Sequence, residues 1–136
     1  PTTPDPTTPP LAPGQLTDGW RWIFTSGWSV LVPALMVLGD ASHSLGKPTW
    51  WLDGAATVTW WTPVPFLPLL AAAGAGAVNW KRWPLVGALG VVGLGLTALF
   101  DASRSPSIAA GEAVLAVAAL ATTLAAFAGR VRRPEN

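Results

Sequence analysis

The sequence predicts an all-α integral membrane protein with four transmembrane helices, and three observations lead there. Of 136 residues, 51% are apolar and only 11% are charged, whereas a soluble domain carries about a quarter charged residues. The apolar residues gather into four stretches near the length that an α-helix needs to cross a bilayer, about 17 to 25 residues. The positive charges sort to one side of those stretches: Arg21, Lys81, Arg82, Arg130, Arg132 and Arg133 against Lys47 and Arg104. By the positive-inside rule this sorting puts both termini on the cytoplasmic side of the membrane.

The first segment, residues 1–19, is rich in Pro and Thr and has almost nothing apolar to bury, so it reads as a cytoplasmic tail. It lacks the basic start and apolar stretch of a signal peptide. Such a tail has no core of its own and is expected to order only against another surface, here that of a partner subunit.

The membrane domain is expected over residues 20–129, with spans at about 22–39, 62–79, 84–100 and 108–128, and a basic cytoplasmic end at 130–136. Pro33 removes an amide donor inside the first span and predicts a kink. Pro63, Pro65 and Pro68 make the first turn of the second span irregular. Pro84 suits the first turn of the third, which also carries Gly87, Gly90 and Gly93. The fourth is almost wholly Ala, Leu and Val. Small residues let apolar helices approach closely, so these glycines, with Ala116 and Ala119, are expected to pack helix against helix or against a neighbouring chain.

An internal repeat is visible. Aligning Arg21 with Arg82 carries Trp22 onto Trp83 and the string DASHS at Asp40–Ser44 onto DASRS at Asp101–Ser105. The pattern suggests a tandem duplication of a two-helix hairpin, with extra residues in the first outer loop. Membrane folds built from parallel repeats have this form.

Composition removes most chemistry. The chain has no Cys and one His, so it offers no thiol nucleophile, thiolate metal site or ligand pair for a haem. No phosphate loop, dinucleotide fingerprint or metalloprotease motif occurs. A net charge of +1 gives no nucleic-acid face. The expectation is a chain that is not an enzyme and carries no cofactor.

The candidate contact residues sit at the outer face. Trp50, Trp51, Trp60 and Trp61 bracket the first outer loop, while Trp20, Trp22, Trp28, Trp80 and Trp83 lie toward the other side. Two aromatic belts are the plain reading, because an indole is apolar with one polar edge. The sharper reading makes the double Trp pairs a docking surface for a partner subunit or a phospholipid. Asp40 and Asp101 each precede a basic group by three residues, His43 and Arg104, and are expected to form helix-end ion pairs. Glu112 is the single acid within a span. An intramembrane acid invites a functional role, yet one near a helix end can snorkel to the interface.

The Pro-Thr tail, four short spans, Trp-rich outer loop and Arg-rich end resemble the small accessory subunits of the actinobacterial respiratory cytochrome bcc-aa3 supercomplex. The resemblance implies a peripheral, cofactor-free place beside an oxidase that supplies haem and copper. It rests on architecture, so no residue role is carried over. The alternative is a small transporter or channel subunit built from the repeat, with Glu112 and the two DAS strings lining a path. That reading needs polar groups at mid-membrane, where the sequence offers Thr97, Thr122 and Thr123. A lipid-modifying enzyme would have to rely on Asp40 with His43.

Overall fold

A computed structural model describes residues 10–52 and 59–132 of the chain. Four α-helices run through it: α1 (Asp18–Ser44), α2 (Leu67–Ala77), α3 (Trp83–Asp101) and α4 (Pro106–Ala126). Short 3-10 turns, Val64–Phe66 and Phe127–Gly129, precede α2 and follow α4. No strand occurs among the described residues, only an isolated bridge between Leu16 and Arg130.

Each helix packs on its chain neighbours and α4 returns to α1, closing a four-helix ring. Two ends follow from this up-and-down course. The terminal end holds residues 10–17 and 130–132 and the α2–α3 turn; the distal end holds residues 45–52 and the α3–α4 connection.

Helices α1, α3 and α4 with its 3-10 extension are long and apolar enough to cross a membrane. α1 outruns the expected 22–39 span at both ends. Asp18 sits in its first turn, 3.5 Å from Arg21, and suits the positive end of the helix dipole. At the other end the polar string Asp40–Ser44 stays helical by keeping Asp40 and His43 exposed.

The second span is the main departure from expectation. In place of a helix over 62–79 there is a 3-10 turn followed by only 11 residues of α2. In a helix over 62–79 Pro68 would fall in the interior, where it has no amide to donate to the Val64 carbonyl and its ring crowds that group; the Val64 carbonyl accepts from the Leu67 amide instead, in the 3-10 turn. Asn79 ends the segment with φ 49°, a left-handed conformation that Asn tolerates better than most residues.

Between the helices lie Phe24, Trp28, Leu31, Leu35, Leu69, Ala72, Trp83, Leu94, Ala119 and Ala126, all buried. Two of the expected belt tryptophans are therefore core residues. Trp28 reaches from α1 across the ring to α3, where a Cβ on Gly90 would lie 2.5 Å from its indole. Trp83 packs edge-on to Phe24 at 5.1 Å and tilted against Phe127 at 5.0 Å, and its indole donates to the Gly14 carbonyl at 3.2 Å. Large rings need holes to fill, and glycines provide them, as Gly76 does for Phe24; Gly87 likewise makes room for Thr123. The expected small-residue packing thus occurs within this chain.

The lower tail also departs from expectation. Leu16 is fully buried against its own bundle. Its amide donates to Asn79 Oδ1 and its carbonyl accepts from Asn79 Nδ2, both at 2.8 Å. Gly14 N donates to Val131 O at 2.9 Å, and Val131 N returns to Gln15 O at 2.8 Å. One buried apolar side chain and these backbone bonds hold the segment against its own bundle. The expectation for residues 1–9 lies outside the described residues.

Outward, Val30, Val37, Leu70, Leu85, Leu89, Val92, Leu99, Val114, Val117 and Leu124 are all exposed. Soluble monomers do not display apolar surface of this extent.

Candidate functional site

At the distal end the chain leaves α1 and folds a short segment, Lys47–Leu52, back over the ends of α3 and α4. Several polar side chains hold it there. Ser42 Oγ donates to the Lys47 carbonyl, and Ser105 Oγ to the Pro48 carbonyl at 2.8 Å. Lys47 Nζ donates to Ser107 Oγ at 2.8 Å, and the Leu52 amide to Thr49 Oγ1 at 3.2 Å.

Two acids complete the attachment. The Trp50 amide donates to Asp101 Oδ1 at 2.8 Å, and the Trp51 indole to Glu112 Oε1 at 3.0 Å. Asp101 is the last residue of α3, and Glu112 stands on α4 about 9 Å beyond Pro106 at 1.5 Å per residue. The antiparallel packing of α3 on α4 brings them to the same end of the bundle, where consecutive residues, Trp50 and Trp51, bond to them. Neither side chain has any exposure. Asp101 Oδ2 and Glu112 Oε2 are buried with no donor among the described residues.

Trp51 roofs this pair. Its ring lies over Gly39 of α1, where a Cβ would come within 2.7 Å, and meets Phe66 edge-on at 5.8 Å. Trp50 is half-buried and packs edge-on to Phe100 at 6.1 Å.

The candidate residues thus divide. Trp51, Asp101 and Glu112 come together in the interior, with Trp50 at their margin. Trp51 is not available to a partner, because its indole is committed to Glu112, and Glu112 does not snorkel because the Lys47–Leu52 segment covers it. Trp60 and Trp61 stand apart, 71% and 47% exposed, with rings stacked at 3.3 Å. The four tryptophans do not form one surface. Asp40 and Arg104 are exposed, and neither the Asp40–His43 nor the Asp101–Arg104 ion pair forms among the described residues.

Asp40 and Asp101 occupy equivalent places in the repeated strings yet have opposite environments. Residues 47–52 of the longer first connection fold over Asp101, while Asp40 is exposed. Sequence reasoning did not single out Ser42, Thr49, Asn79 or Ser105 as attachment points. For Asn79 a signal existed, a lone amide at a helix end beside Pro-free apolar residues.

A second feature lies at the terminal end, a cleft of about 590 Å³ lined by Pro13, Gly14, Phe127, Arg130, Val131 and Arg132. Its two guanidinium groups beside an aromatic ring suit an anionic headgroup with an apolar tail. No protein-family model matches the chain, and no curated protein or solved structure is significantly similar to it.

Proposed function

We propose that this chain is a non-catalytic accessory subunit of a multi-subunit membrane complex, with a respiratory oxidase supercomplex as the candidate host. The observation that carries the reading is the division of its surface. Polar side chains are spent on tying the chain's own loops and termini across the bundle, while aliphatic side chains project outward from all four helices. Such an exterior fits lipid and neighbouring apolar helices, and the exposed Trp60–Trp61 stack adds an aromatic contact at one end. The basic cleft beside Phe127 supports a phospholipid contact.

The transporter alternative draws less support. Thr97, Thr122 and Thr123 donate to the carbonyls of Gly93, Ala118 and Ala119, each four residues earlier in its own helix. Hydroxyls bonded in this way do not form a polar file between helices.

Affinity purification of the tagged chain in mild detergent, followed by mass spectrometry, tests the proposal. Stoichiometric membrane subunits carrying haem absorbance are expected to travel with it. A chain that purifies alone and conducts ions in liposomes overturns the reading.

A further inference from the structure

Two buried acids held under consecutive residues, with a full complement of acceptors, pose a problem of donors. An ionised carboxylate only accepts hydrogen bonds, and a buried polar atom left without a partner is costly. Trp50 supplies one donor to Asp101 Oδ1 and Trp51 one to Glu112 Oε1. Nothing among the described residues donates to Oδ2 or Oε2, although consecutive residues, Trp50 and Trp51, hold the two carboxyl groups side by side. One hydron between them solves both problems: it makes one carboxyl a donor to the other and removes the repulsion of two adjacent charges in an apolar site.

We propose that Asp101 and Glu112 form a single-proton binding site whose proton fastens the Lys47–Leu52 segment over the distal end of the bundle. When the proton leaves to the aqueous phase at that end, two carboxylates remain side by side beneath Trp51. They can be hydrated only if the segment lifts. The site is thus a proton-dependent latch, independent of which complex the chain serves.

The surroundings contain little else that titrates. From the α3–α4 connection, Arg104 acts on Asp101 through its charge, while its side chain is exposed. Lys47 is engaged with Ser107. α1 presents Gly39 and Ser42, its Asp40 and His43 being exposed, and the turn before α2 presents Phe66. Asp53 lies outside the described residues and serves as a control.

Infrared spectroscopy of the full chain in lipid nanodiscs reads the proton directly. At neutral pH the wild type is expected to show one protonated-carboxyl C=O band per chain, shifted in deuterated water. Asp101→Asn and Glu112→Gln should each abolish it, because the amide of either variant replaces the shared proton as donor while its oxygen still accepts from Trp50 or Trp51. The latch is read with Thr49→Cys, since Thr49 is 3% exposed and the chain has no other thiol. Its maleimide labelling, normalised to the same thiol in an unfolded peptide, should accelerate as pH rises, by up to about tenfold per pH unit for one linked proton. In the Glu112→Gln background the labelling should stay flat with pH. Asp53→Asn should change neither readout. The proposal is overturned by a missing band in the wild type, by a band that survives both single substitutions, by loss of the band in Asp53→Asn, or by a Gln variant that labels with the wild-type pH profile.

Discussion

Replacing Asn79 should detach the lower tail from the bundle, and the structure gives the size of the effect. The side chain makes two hydrogen bonds of 2.8 Å with the backbone of buried Leu16, each contributing about 1 kcal/mol net. Its φ of 49° adds a conformational cost for Ala of about 1 kcal/mol. Asn79→Ala should then favour detachment by about 3 kcal/mol, or about a hundredfold, and Asn79→Gly, which adopts positive φ freely, by about 2 kcal/mol, or about thirtyfold. Hydrogen exchange at the amides of Gly14 and Val131 is the assay, because these bond to Val131 O and Gln15 O and not to Asn79 itself. Faster exchange at both, in the order Ala over Gly over wild type, is expected while amides in the middle of α3 keep their protection. Unchanged exchange at Gly14 and Val131, or equal rates for Ala and Gly, refutes the reasoning.

Three further outcomes are expected. Gly90→Ala drives a methyl to 2.5 Å from the Trp28 indole and should lower stability by about 1 to 3 kcal/mol; Gly95→Ala meets nothing within 4 Å and should be neutral or stabilising by up to about 1 kcal/mol, both read as thermal melting in detergent. Replacing Trp60 and Trp61 together by Ala should leave the melting temperature unchanged, since both rings are exposed, yet reduce recovery of co-purifying subunits; full recovery would remove the stack from the interface. Single cysteines at Ser44 and Arg132 should label from outside the cell and only after permeabilisation, respectively, as the basic terminal end requires; the reverse pattern inverts the orientation.

Helices α1, α3 and α4 were legible because long apolar runs have few other solutions. α2 was overextended for the same reason: hydropathy counts Val64, Phe66 and Leu67 as span, whereas the three prolines decide how the backbone begins. Tryptophan composition suggested belts, but a ring's position depends on the hole opposite it, and Gly90 lies far along the chain from Trp28. Glu112 was legible as an acid inside an apolar run. What escaped was its cover, since nothing in the spacing of Trp51 and Glu112 says that the first connection folds over α4. The identical DAS strings concealed the same thing, because burial of Asp101 comes from a loop that has no counterpart after α3. Leu16 was hidden among prolines, where a lone apolar residue carries no periodicity.

The brevity of α2 has a consequence for the surrounding lipid. Val64–Ala77 is a shorter apolar helix than the other three, rising about 21 Å at 1.5 Å per residue against a hydrocarbon layer of about 30 Å. If the bundle sits in a bilayer with α2 facing the acyl chains, one flank is too thin for its solvent. Lipids there must compress or tilt, at fractions of a kcal/mol for each ångström of mismatch, while those around α1 and α4 do not. A rim of uneven height favours arrangements in which the thin flank meets another protein or a thinner patch of membrane. The three prolines that shorten one helix would thereby give an otherwise greasy cylinder a preferred side.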